Sequence, residues 1–239
     1  MLKTQIDHLV IAAKSIEQGV AWCEAQLGIT PSPGGEHVLF GTHNRLFKIA
    51  TPKFPMAYFE IIAINPSAVR SKNNIAAHPH RWFDLDNREL QKTITQEPRL
   101  IHFVVNTSDI QEARFALQKQ GIDRGPAIRA ERQTNKGLLR WQITVRSDGQ
   151  RLFDGALPTL IQWDTSETAD PLSLHPRNSL PRSGVTLQKI YVTHPSARKL
   201  QDAYEAIGLS NISISEGPAR LAVTLQTPKG KVMLESTTD

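Results

Sequence analysis

Four polar side chains stand in stretches that are otherwise β-rich and apolar, and they recur at matching places. They are His8 in DHLV, Glu60 in YFEII, His102 in IHFV and Gln162 in LIQWD. A carboxylate inside a run such as YFEIIAI is costly to desolvate unless something compensates its charge. Taken alone, the stretch fits an edge strand with Glu60 facing water. Recurrence at the same place in each repeat argues for a shared site instead. Two imidazoles, a carboxylate and an amide oxygen suit a divalent first-row metal with positions open for substrate, and a cation would supply the partner Glu60 lacks. The donors are compatible with nickel, zinc, manganese or iron.

Positioning such a set requires repeated elements, and three segments read alike: residues 6–29, 100–122 and 187–209. Each opens with a short strand, passes a polar break and enters a helix that ends at Gly28, Gly121 or Gly208, where a left-handed turn is expected. Ser15 and Gln18 form a capping-box pair, Ser108 and Gln111 repeat it, and Ser196 stands in the third segment without the glutamine. Two or three strands follow each helix. The expected units are residues 1–66, 99–165 and 185–239, with a structured insertion at 67–98 and a Pro/Ser-rich linker at 166–184. Superposed, His8 falls on His102 and Lys189, and Glu60 falls on Gln162 and Glu235. Strand alternation puts His8 on a face with Ile6 and Val10, opposite Leu9 and Ile11. If the second unit paired with the third, Glu235 would replace Glu60 in the site.

Composition sets outer bounds. Apolar residues make up 39% and charged residues 21% of the 239, which suits a globular chain rather than a disordered one. No apolar run is long enough to span a bilayer, and Asp7 and His8 interrupt the N-terminal stretch where a secretory signal would be unbroken. Cys23 is the only cysteine, so an intrachain disulfide and a cysteine-based zinc site are both excluded. A cytoplasmic protein is expected. The net charge of +5 comes from Lys and Arg that are scattered rather than gathered in a stripe. That pattern favours a small anionic substrate over nucleic acid.

The paired units with DHLV and YFEII resemble the vicinal oxygen chelate superfamily, which includes glyoxalase I, extradiol dioxygenases and the fosfomycin- and bleomycin-resistance proteins. More narrowly, PGGEHVLFGTHN, YFEIIAINP, RWFDLD, PRLIHFVV and LPTLIQWD are similar to its glyoxalase-like domain proteins. The resemblance runs over residues 5–165 and more weakly to the end. It implies an α+β fold in which βαβββ units form a half-open, mostly antiparallel β-barrel with helices outside, plus a third, degenerate unit. It also implies metal ligands on the first and last strands of each unit, the positions of His8, Glu60, His102 and Gln162. The activity implied is that of a metal-dependent lyase or isomerase acting on vicinal oxygens through an enolate-like intermediate. Gln162 departs from glyoxalase I in leaving Glu60 as the one carboxylate of the set. Two histidines and a carboxylate also match a non-haem iron, extradiol-type dioxygenase. A non-catalytic small-molecule binder of the same fold is the other alternative.

Further candidates surround this set. His37, at the start of an expected strand, is a reserve ligand or general acid/base, so Glu60 and His37 are the candidate proton carriers. Asn44 follows the Gly41–Thr42 break. Arg81 and Trp82 sit in an insertion that could close over an acidic or aromatic substrate. Arg140 and Gln142 alternate with the apolar residues of LLRWQITVR and would form either solvent face or pocket wall. Lys189 occupies the ligand position of the third unit. That unit is expected to be structural or interfacial, completing the sheet or pairing with a second copy in a homodimer.

Overall fold

The computed structural model describes residues 2–134, 137–164 and 175–236. In chain order the elements are β1 (Thr4–Ala12), α1 (Ile16–Leu27), β2 (Ser32–His37), β3 (Thr42–Lys48), β4 (Tyr58–Ile64), α2 (Lys72–Ala77), α3 (Arg88–Gln96), β5 (Arg99–Thr107), α4 (Ile110–Lys119), β6 (Ala127–Thr134) and β7 (Gly137–Thr144). A 3-10 turn (Phe153–Gly155) precedes β8 (Thr159–Trp163). The remainder is α5 (Pro176–Ser179), β9 (Thr186–Thr193), α6 (Ala197–Ala206), β10 (Ser213–Ser215), β11 (Arg220–Thr227) and β12 (Gly230–Glu235).

The first eight strands form one sheet in the order β2-β3-β4-β1-β5-β8-β7-β6. The order reads the same way from either end. β1 and β5 run antiparallel at the centre, flanked by β4 and β8, each parallel to its neighbour. This is the expected half-open barrel, and the first two units are the ones that pair. The third does not complete that sheet. Its strands form a separate sheet, β10-β9-β11-β12, whose apolar residues join a core with α1, α4, α6 and one face of the barrel sheet. Glu235 lies there in an ion pair with Arg220, away from the barrel interior.

Local signals account for most element ends. Gly28, Gly121 and Gly208 have φ of 75°, 69° and 67°. Ser15 caps α1 by accepting from the Gln18 N–H at 3.2 Å. At α4 the cap is Asp109, not Ser108; it accepts from the Gln111 and Glu112 N–H groups, and its charge also suits the helix N-terminus. The Ser196 side chain makes no capping bond.

One irregularity recurs in all three units. Against β5, β1 advances from Ile6 to His8 while its partner moves only from Val105 to Val104. Ile6 and Leu9 both lie in the helix-side core, so Asp7 and His8 both turn inward. β5 does the same at Ile101 and His102, between Leu100 and Phe103. β9 repeats it at Gln188 and Lys189, between Leu187 and Ile190. A β-bulge of this kind re-aims side chains that simple alternation would send to the other face.

Candidate functional site

The bulge in β1 gives the barrel its charged floor. Asp7 is fully buried and is satisfied by four side-chain donors. Oδ1 pairs with His8 Nδ1 at 2.7 Å. Oδ2 meets Trp163 Nε1 at 2.8 Å, His175 Nε2 at 3.1 Å and Asn106 Nδ2 at 3.3 Å. The other ring nitrogen of His8 reaches Glu60 Oε2 at 3.4 Å, and the His8 ring stacks on Tyr58 at 4.6 Å between centroids.

Glu60 stands on the same face of β4 and is 4% exposed, so the edge-strand reading does not apply. Its Oε1 accepts from Asn44 Nδ2 at 2.5 Å, with His37 Nε2 at 3.9 Å. Asn44 is held in turn by accepting from the Gly35 N–H at 2.8 Å. His37 ends β2 rather than beginning a strand. The paired glycines have a steric reason: a Cβ on Gly34 would lie 2.0 Å from Asn44 Oδ1 and 2.5 Å from its carbonyl oxygen. Gly34→Ala is therefore expected to displace Asn44 from Glu60 and to cost about 1–3 kcal/mol. Urea denaturation checks this, and an unchanged midpoint would refute it.

The charges are set by these contacts. Burial would raise the Asp7 carboxyl, but the charge and hydrogen bonds of His175 and His8 outweigh it and hold it far below the usual range. At Glu60 burial is likewise overcome, chiefly by His8, so its carboxyl is lowered. Burial would lower His8, yet its bonds to Asp7 and Glu60 raise it to about 9. His8 is an imidazolium between two carboxylates at neutral pH. Burial takes His37 down to about 4, leaving it neutral. Burial, with Arg124 nearby, pushes His102 well below its ordinary value.

These shifts predict a stability profile. A raised base contributes stability that is complete below its unfolded value of 6.5 and is lost as pH rises through about 9. His37 and His102 are lowered from 6.5, so they cost stability as pH falls below that value. The two carboxylates, lowered from 3.8 and 4.5, add a further loss at acid pH. Unfolding free energy is expected to peak near pH 6.5, with Asp7→Asn flattening the alkaline limb. Stability that keeps rising from about pH 7 to 9 would contradict the assignment.

Two chambers lead to this floor. The inner one, about 30 Å³, is lined by His8, Glu60, Asn44 and His37 together with Trp82, Trp141 and Trp163. It has room for about one water molecule. The outer one, about 720 Å³, shares His37 and the three tryptophans and opens past Arg129, Glu131, Arg140 and Gln142. Trp82 is buried, stacked on Phe40 at 4.4 Å and on Phe83 at 4.9 Å. Phe83 and Asp84 take φ of 59° and 58°, costly for a bulky side chain. Bonds from Arg151 to Asp84 and from the Asp84 N–H to the Gly149 carbonyl hold that turn. Arg81 pairs with Asp86 at 2.6 Å and lines neither chamber.

The four-residue ligand set does not assemble around one point. β5 pairs with β8 so that Val104 faces Thr159, just as Val10 faces Glu60. Thr159, not Gln162, is thus the counterpart of Glu60. Gln162 lies three positions further on, an odd number, which reverses its face. Its Oε1 accepts from the Ile110 N–H at the start of α4. Both His102 nitrogens are engaged, one with the Gly155 carbonyl at 2.8 Å and the other with Thr159 Oγ1 at 3.0 Å. The donors present do not fit the expected metal. Among the described residues no group of three His, Cys, Asp or Glu side chains forms a metal-holding cluster.

Asp7, Asn106 and His175 escaped the sequence reading. An acid beside a histidine in IDHLVI was a usable sign, since strict alternation would bury Asp7 unpaired against the helices. His175 carried none. It belongs to the stretch expected as a linker, which is described only from His175 onward.

A two-unit half-open barrel with its polar groups on the central strands defines a protein of the vicinal oxygen chelate type. The chain belongs to the glyoxalase-like domain family, whose model matches residues 6–208. Among solved structures, a hypothetical protein from Staphylococcus aureus is 16% identical, with a TM-score of 0.58 over 98% of this chain and 85% of its own. That likeness concerns the fold. A Streptomyces coelicolor methylmalonyl-CoA epimerase in complex with 2-nitronate-propionyl-CoA is 15% identical, with a TM-score of 0.40 over 68% of this chain and 98% of its own. The Mycobacterium tuberculosis methylmalonyl-CoA epimerase is 18% identical, with a TM-score of 0.35 over 66% and 86%. No curated protein sequence matches the chain. Among the described residues no helix is long and apolar enough to cross a membrane.

Proposed function

We propose that the protein is an enzyme of isomerase or lyase type that moves a proton on a small, anionic molecule with neighbouring oxygens. The observation that carries this is Glu60: an ionised carboxylate, buried yet facing a chamber walled by tryptophans. Ionised at neutral pH, such a group can accept a proton from carbon in a water-poor site, with its basicity reduced by the pairing with His8. His37, kept neutral by burial, is placed to polarise the substrate oxygen, since both chambers include it. A neutral imidazole opposite a carboxylate base is a known division of labour for proton transfer beside a carbonyl. The proton taken by Glu60 returns from the same carboxyl, so the step balances without a co-reactant. Arg129 and Arg140 at the outer opening suit the anionic end of the substrate.

Hydrogen–deuterium exchange at carbon, followed by NMR in D2O with a panel of small hydroxy-ketones and keto acids, tests the reading. Exchange is expected with the native protein and is expected to be lost in Glu60→Gln. Binding without exchange, equal in both forms, would make the protein a non-catalytic binder.

The metal-dependent reading keeps one supporting observation: Nε2 of His8 and of His37 both approach Glu60, at 3.4 and 3.9 Å. A divalent ion there would supply Lewis acidity. With the donors hydrogen-bonded as they are, chelator-treated protein is expected to show no saturable rise in Tm with nickel, zinc, manganese or anaerobic ferrous iron. A ligand at 100 times its Kd adds about 2.7 kcal/mol, well within reach of the assay. A rise abolished by His8→Ala would reinstate the metal, and oxygen uptake with catechols would then decide for a dioxygenase.

A further inference from the structure

β2 and β6 are the two ends of the barrel sheet, so the open side of the half-open barrel lies between them. Arg132, on β6, points into the interior at that opening. The β6–β7 register sets its direction: Ile128 faces Ile143, Ala130 faces Trp141 and Arg132 faces Leu139. Directly opposed residues share a face of the sheet. Ile143, Trp141 and Leu139 all line the inner chamber, and so does Arg132. The far end of its side chain is placed by the first unit. A Cβ on Gly35 would lie 2.5 Å from Arg132 Nη1 and 3.1 Å from its Cζ, so the guanidinium rests on bare backbone of β2. After burial, its charge also helps to lower His37, and it acts on Tyr58; both are walls of the inner chamber.

Among the described residues no carboxylate pairs with this guanidinium. The neighbouring acids are engaged elsewhere: Glu131 with Arg140 at 3.4 Å, Glu36 with Asn65 at 3.3 Å and Glu60 with His8 at 3.4 Å. The size of the chamber, about 30 Å³, decides what a substrate can bring to it. A carboxylate is larger than the single water that fits, and it would meet the charge of Glu60. A neutral carbonyl oxygen fits, and it gains negative charge only as Glu60 loses its own. His37 is neutral and lends that oxygen a dipole alone, whereas a guanidinium opposes the developing charge directly.

We propose, building on the proton transfer assigned to Glu60, that Arg132 binds the substrate's carbonyl oxygen and stabilises the enolate formed at the neighbouring carbon. The C–H bond breaks toward Glu60, its electron pair forms the C=C bond, and the carbonyl π pair moves to the oxygen beside Arg132. Return of the proton from Glu60 reverses these movements. The substrate is then a ketone, aldehyde or thioester at its reacting end, with its anionic group left at the outer opening. Arg132 fills the electrostatic role of the divalent ion whose ligand set does not assemble.

The test compares the native protein with Arg132→Ala in D2O, using hydroxy-ketones, keto acids and, as ketone-free controls, the matching hydroxy acids. Arg132→Ala is expected to slow exchange about 10²–10³-fold through kcat, the worth of one oxyanion donor. Guanidinium chloride at millimolar concentration is expected to restore part of it, which a merely structural role would not allow. Without substrate, His37 should titrate higher in the variant, because a positive charge near it has gone. Undiminished exchange in Arg132→Ala, a loss that guanidinium does not restore, an unmoved His37 titration, or hydroxy acids that exchange as readily as ketones would each overturn the role of Arg132 and leave Glu60 as the base. No exchange in the native protein with any of these compounds would overturn the proton transfer itself, and the role of Arg132 with it.

Discussion

Asp7→Ala is expected to lower the unfolding free energy by about 3–5 kcal/mol, the range for removing one partner of a buried charge pair. The substitution leaves the Trp163 indole N–H, the His175 ring and the Asn106 amide without their acceptor. It also leaves the imidazolium of His8 with Glu60 as its sole counter-charge. Trp163, His175 and His8 cannot turn to water, because all three are buried; Asn106 is half-buried. Urea denaturation at pH 6.5 to 7 measures the loss, and a fall of less than about 1 kcal/mol would mean the network is not formed as described. A double-mutant cycle with His175→Ala should show strong coupling, because the two residues share one hydrogen bond and one charge interaction.

Glu60→Gln is expected to reduce proton exchange on substrate by about 10²–10⁴-fold, the usual worth of a positioned general base. Gln keeps the shape and can still accept from Asn44, but its amide cannot take a proton from carbon. The same change gives a readout that needs no substrate. Glu60 is one of the two acceptors that raise His8 to about 9, and removing its charge should bring the imidazole titration down toward neutral pH by 15N NMR. The fold should survive, because Asp7 still holds His8 at 2.7 Å. An unchanged His8 titration would refute the pairing itself. A lowered titration with undiminished exchange would keep the pairing and remove Glu60 from the chemistry.

The two predictions act on residues of unequal visibility. Glu60 and His8 could be read from the chain because strand alternation is local: a polar residue at the centre of an apolar strand must be compensated wherever the strand ends up. The repeat itself was legible for a similar reason. Helix starts at Ser15, helix ends at Gly28, Gly121 and Gly208, and the apolar faces between them depend only on neighbours within a few residues. His175 was not legible, because its partner Asp7 lies 168 positions away and no local pattern records such a contact.

The amino-acid sequence by itself determined the three strand–helix units, their β-rich followers and the inward face of His8 and Glu60. Tertiary structure decided which units pair, where the bulges fall and what each polar group meets. Its largest correction was at β8. PTLIQWD is apolar on both faces, so alternation cannot set its register, and a three-residue difference exchanges Thr159 for Gln162 as the residue opposite Glu60. Only pairing with β5 resolves that choice, because main-chain hydrogen bonds between strands fix register where side-chain pattern leaves it open. With Thr159 in place, His102 is satisfied within its own unit. The charged floor of the barrel is then built on one side alone, from Asp7, His8 and Glu60.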